Sequence, residues 1–287
     1  MRRITDRQEL LDGPLDLELL RGNLRDLRRI NRHLGGVRLS ALALDALVAD
    51  GLGRGRGAGP SAPGSDHAPV TLLDVGTGAA DIPVALIARA ARSVPAAPAA
   101  PAAPAAPAAS AASAGGAPSR ARGAPSRGWL RVTGIDERVE VLDAARALDP
   151  AIAALSASDA LTLATADGRA LPYPDGAFDV AHASLVLHHL SPPDVVTLLR
   201  EMARVARVGV IVNDLLRSRR SWVGAWALTR VMTRNPYTRH DGPLSVQRAY
   251  TRRELRRMIE AAGLQVAWEG TDLIRHRWAA AARHAQP

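Results

Sequence analysis

The chain has 287 residues, 47% of them hydrophobic, which suffices for one large α/β domain with additions but not comfortably for two. It has no cysteine, excluding disulfides, a thiolate metal site and a cysteine nucleophile. The net charge of +9 rests on Arg alone, and residues 200–287 carry 17 Arg against 7 acids, where the first 199 residues carry 20 against 21. Such an excess can meet an acidic ligand, a membrane surface or nucleic acid. The first residues lack a signal-like apolar core and no apolar run is long enough to span a bilayer, so a cytoplasmic location is expected.

Residues 14–35 read as a helix, with Leu15, Leu19, Leu20, Leu24, Leu27, Ile30 and Leu34 on one face. Gly35-Gly36 ends it, and a second apolar helix runs from Val37 to Ala49 into a glycine-rich basic loop beginning at Gly51. Residues 1–69 are therefore expected to form a helical cap and linker.

Val70 to Val75 is an apolar, β-branched strand that breaks into a turn with glycines at 76 and 78, and Ala79 to Ala91 reads as a helix. Strand, Gly-rich turn and helix open many nucleotide-binding α/β domains. A dinucleotide fingerprint wants Gly or Ala at the sixth position from Gly76, where Asp81 stands, and a carboxylate there opposes a pyrophosphate. No Gly-Lys-Ser/Thr follows for a phosphate loop. A cofactor with adenosine and positive charge but no phosphate remains, a description that S-adenosylmethionine (SAM) meets.

Asp74-Val-Gly-Thr-Gly-Ala-Ala-Asp81 resembles motif I of the class I SAM-dependent methyltransferases, with Ala80 where a third Gly is more usual. The resemblance extends over roughly residues 70–213 and loosely to the C-terminal end. It implies a Rossmann-like α/β fold, a seven-stranded mostly parallel sheet with an antiparallel last strand, residues 70–287 forming the SAM-binding domain. It also implies Asp74, Gly76, Thr77, Gly78 and Asp81 around the cofactor, and N-terminal helices folded over it that could bring Arg28, Arg32 or His33 close.

Residues 93–128, rich in Pro and Ala and without a large apolar residue after Val94, cannot bury enough surface to offset ordering entropy and are expected to be a disordered, dispensable insertion. Trp129 to Asp136 is the second strand, ending in an acid. An adenosine site places such an acid about 20 residues beyond the Gly turn, to accept the ribose hydroxyls. Gly76 and Asp136 lie 60 positions apart, and without the 36-residue insertion the spacing is 24. Glu137 is expected beside it.

Ala160 to Thr165 is the third strand. The following Ala166-Asp-Gly-Arg-Ala-Leu-Pro-Tyr-Pro-Asp-Gly-Ala-Phe-Asp179 is similar to a passage of the small-molecule methyltransferases related to quinone-biosynthesis enzymes. By that resemblance Asp167 accepts from the adenine amino group, Gly168 and Arg169 lie beside the ring, and Ser184, ending the fourth strand, also meets the cofactor. His182 is expected to be buried in that strand. Leu185-Val-Leu-His-His-Leu190 then borders the methyl group. Base-methylating enzymes carry (Asp/Asn)-Pro-Pro-Tyr there, which this chain lacks.

An amphipathic helix over Pro192 to Arg207 leads to a fifth strand, Val208 to Asn213. Residues 214–250 exceed what the core needs. Their centre, Ser221 to Met232, is an apolar helix flanked by Arg219, Arg220, Arg230 and Arg234, expected to be a lid whose Trp222 and Trp226 wall an apolar substrate, or a surface-lying membrane helix. Arg239 to Pro243 is read as its polar exit. Thr251 to Glu254 is a capping box, and two last strands are expected over 264–269 and 272–281.

Methyl transfer from a sulfonium is an in-line displacement that mainly requires alignment and exclusion of water, so no metal is expected. For transfer to oxygen, His188, His189 and His240 are candidate bases or substrate clamps. The expectation is SAM-dependent methylation of a small, largely apolar phenol, quinone precursor or polyketide, at oxygen before carbon, with no nucleic-acid partner favoured. An RNA methyltransferase, a non-catalytic SAM-binding regulator and, last, a nicotinamide dehydrogenase are the alternatives.

Overall fold

Strands and helices alternate through most of the chain, which builds a sheet covered on both faces. The computed structural model describes residues 1–51, 68–92, 129–272 and 276–285, so the expected insertion over 93–128 and nearly all of the glycine-rich loop lie outside the described residues. Helices α1 (Leu17–His33) and α2 (Gly36–Gly51) precede β1 (Val70–Val75), α3 (Asp81–Arg92), β2 (Leu130–Asp136), α4 (Val139–Leu148), α5 (Pro150–Ala157) and β3 (Leu161–Thr165). Then come β4 (Phe178–Ser184), α6 (Pro192–Val205), β5 (Ala206–Leu215), α7 (Arg219–Met232), α8 (Pro236–Arg248), α9 (Arg252–Ala261), β6 (Leu264–Thr271) and β7 (Arg277–His284). Short 3₁₀ turns cover Leu10–Asp12 and Leu187–His189.

The strand order is β3-β2-β1-β4-β5-β7-β6. β1 to β5 run parallel, and β7 runs antiparallel to both β5 and β6. This is the sheet that the family resemblance implies. Alternation along each strand splits the interior into two cores. Leu73 and Val75 of β1 join Val210 and Val212 of β5 beneath α6 and α9. Val70 and Leu72 join Ile211 on the other face, under α2 and α3. Leu44 and Leu47 of α2 are fully buried there, so truncating either to Ala costs about 2–5 kcal/mol.

The helix starts are written in the sequence. Asp16 caps α1, Ser191 caps α6 ahead of Pro192, Asn235 caps α8 ahead of Pro236, and Thr251 with Glu254 forms a full capping box on α9. The segment after β5 departs from expectation. It holds two helices, and Arg239 to Pro243, read as a polar exit, lies inside α8. Pro243 is accommodated there in spite of its missing N–H. The last strand begins at Arg277 and not at Asp272, because Asp272 turns the chain by accepting the Arg277 N–H at 2.8 Å.

Candidate active site

Between β1 and β4 the strand order reverses, and at their carboxyl ends the sheet opens into a cavity of about 320 Å³. Asp74, Gly76, Thr77, Gly78, Asp81, Asp136, Glu137, Asp167, Gly168 and Ser184 all line it. Gly76 (φ +66°) turns the chain out of β1, and a Cβ on it would meet Val186 Cγ2 at 2.5 Å. Ala80 also has a left-handed backbone (φ +52°), a conformation glycine adopts more easily, which explains the third Gly of related motifs.

The acids of the cavity differ in what they can offer. Asp74 has both oxygens engaged, by His182 Nδ1 at 2.5 Å and by the Thr77 hydroxyl at 2.7 Å. His182 Nε2 meets Ser40 Oγ at 2.8 Å, and Asn213 donates to Ser40 Oγ and to the Gly36 carbonyl. This buried relay pins α2 to the Gly turn, so Asp74 shapes the loop. Asp136 accepts the Gly78 and Arg138 N–H groups, each at 3.1 Å, and burial raises its pKa. Asp81 is raised by burial too. Asn31 donates to its Oδ1 at 3.3 Å, while Oδ2, like Ser184 Oγ, is buried without a partner. Asp167 is held low by its paired Arg169.

A second cavity, of about 480 Å³, lies against the first. Its walls come from Leu27 and Ile30 of α1, Leu34 just after it, Ala225 and Leu228 of α7 and Val246 of α8. Leu11, Leu27, Leu185 and His189 border both spaces. Leu185 has a left-handed backbone (φ +59°), a strained turn that swings the His188–His189 pair to this junction. His188 meets Asp214 Oδ1 through Nδ1 at 2.7 Å, and His189 meets Asp12 Oδ1 through Nδ1 at 3.1 Å. The two Nε2 atoms face Glu9, at 3.8 Å from Oε1 and Oε2 respectively. Burial alone would lower His189, but the Glu9 and Asp12 carboxylates outweigh it and push it up to about 9. Burial would raise Asp214, and the His188 imidazole outweighs that and holds it low.

Several expectations need correction. His240 borders neither cavity: its side chain is half-exposed and hydrogen-bonded to Asp241. Trp222 and Trp226 do not wall the second cavity. Ser221, Ala225 and Leu228 share the inward face of α7, one helical step round from the tryptophans, and Trp226 is exposed with Arg230 stacked on its ring at 4.4 Å. Arg28 turns away to pair with Asp149, and Arg32 and His33 are exposed, whereas the neighbouring Asn31 reaches the first cavity. Glu9, Asp12 and Asp214 carried no local signal beyond an acid at the end of a strand for Asp214.

Residues 112–212 match the family model of a methyltransferase domain. The match runs across β2 to β5 and leaves the Gly turn outside, upstream of the insertion. No curated protein matches the chain. Among solved structures, an O-methyltransferase family 2 protein from Planctomyces limnophilus, in complex with apigenin, superposes with a TM-score of 0.54 at 16% identity, over 96% of this chain and 63% of its own. Human N-acetylserotonin methyltransferase, in complex with SAM, gives 0.53 at 14% identity, over 94% of this chain and 57% of its own. These likenesses establish the fold, that of the SAM-dependent methyltransferases, and the chain spans less than two thirds of either protein. Among the described residues no helix is long and apolar enough to cross a membrane.

Proposed function

We propose that this methyltransferase moves the methyl group of SAM to an oxygen of a small, largely apolar acceptor seated in the larger cavity. The observation that carries the reading is the meeting of the two cavities at Leu185 and His189. The smaller one suits SAM: in this reading Asp136 accepts from the ribose hydroxyls, Asp167 and Gly168 meet the adenine, and Asp81 Oδ2 and Ser184 Oγ, buried without a partner, receive donors that the protein does not supply. Bound there, SAM supplies an electrophilic methyl group on a sulfonium.

Leu27, Ile30, Ala225 and Leu228 exclude water and orient an apolar body. Glu9, His188 and His189 face the acceptor's hydroxyl group, whose proton must leave as the methyl arrives. The test is methyl uptake from labelled SAM over a panel of phenols, hydroquinones and aromatic polyketides. Labelled ether is expected, and His188→Ala should cut turnover by about 100-fold while SAM affinity holds. SAM binding with transfer only to RNA, or no SAM binding, would overturn the reading.

We also infer that the outer face of α7 touches an anionic membrane surface from which apolar acceptors enter. Exposed Val223, Trp226 and Val231 lie there between Arg219, Arg230 and Arg234.

A further inference from the structure

We infer that Glu9, His188 and His189 bind one divalent transition-metal ion at the junction of the two cavities, where the ion holds the acceptor's oxygen. This deepens the acceptor site proposed above and rests on that reading. One ligand atom from each residue falls within 4.8 Å of the other two. The His188 and His189 Nε2 atoms stand 3.8 Å from Glu9 Oε1 and Oε2 respectively, so small shifts of these side chains bring all three donors to one ion.

The surroundings support a cation. Both histidines present Nδ1 to a carboxylate, Asp214 or Asp12, which leaves Nε2 to take the ion in place of its proton, the arrangement that backs metal-bound histidine. Glu9 is buried and its Oε1 has no hydrogen-bond partner. The Arg248 guanidinium opposes the ion, with Nε 3.9 Å from Glu9 Oε1 and Nη1 on Asp12. Three carboxylates nevertheless outnumber it at the cluster. Two imidazoles and one carboxylate suit zinc, iron, cobalt or manganese better than magnesium, and all three residues line the acceptor cavity, from which a hydroxyl would reach the ion. An ion there acidifies a bound hydroxyl. The proton leaves to solvent, the acceptor oxygen's lone pair forms the bond to the methyl carbon, and the broken carbon–sulfur pair stays on sulfur.

Cobalt(II) titration of chelator-treated protein, followed by visible absorption, tests this without any turnover. One equivalent should bind, Glu9→Gln and His188→Ala should each weaken it by about 100-fold or more, and Asp12→Asn by about 10-fold. Retained SAM binding by each variant shows that it folds. No cobalt uptake by the wild type, or equal uptake by Glu9→Gln, would overturn the inference. Undiminished methyl transfer in chelator would also overturn it while leaving the methyltransferase reading intact. Cobalt binding without methyl transfer to any acceptor would sink that reading alone.

Discussion

Asp136 and Asp81 are carboxylates that the fold holds at a cost. Burial raises both, so the folded state takes up their protons more readily than the unfolded chain. Stability is therefore lost as pH rises from about 4, the unfolded value, through the folded one. Asp136→Asn should raise the melting temperature at neutral pH, and the gain should shrink on acidification towards pH 4. Calorimetry of the same variant should show SAM affinity reduced by about 10-fold to 100-fold, the worth of hydrogen bonds to a charged acceptor. A variant that neither gains stability nor loses affinity would place the ribose elsewhere. That Asp136 and Asp167 line the smaller cavity was legible, Asp136 as an acid at a strand end at a set distance and Asp167 through the family resemblance of its loop. Glu9 was not, since its partners His188 and His189 are about 180 positions away and only tertiary contact selects it.

At the scale of elements, α7 shows how an apolar helix divides its faces. Periodicity marked the helix, yet apolar residues on several sides left open which side would be inward. Packing on α8 and over the cavity turned Ala225 and Leu228 in and Trp226 out. Leu228→Trp should fill the acceptor space and lower kcat/KM by about 10-fold or more with the Kd for SAM unchanged. On the opposite face, Val231→Asp should reduce co-sedimentation with anionic vesicles several-fold and leave methylation of a soluble acceptor unaltered. Vesicle binding that ignores this substitution would remove the membrane contact. The relay through α2 makes a third case. Ser40 joins His182 to Asn213, so Ser40→Ala strands buried polar groups and should cost about 2 kcal/mol, a fall of about 5 °C in thermal melting.

For the whole molecule, α3 ends and β2 begins on the edge opposite the carboxyl ends that form the cavities. Deleting residues 93–128 with a short linker should leave SAM affinity within about twofold and the melting profile cooperative. A loss of binding would show that the segment matters to the site. The strands, the helix starts and the Gly turn follow from sequence alone, because apolar patterning, capping residues and turn glycines are local properties that short stretches carry in full, while the mostly parallel sheet came from the family resemblance. The partnership of two cavities and the Glu9–His188–His189 cluster were decided only by tertiary structure. Side chains from the N-terminal segment, the turn after β4 and α7 converge there through packing, and no spacing along the chain encodes which distant groups will meet.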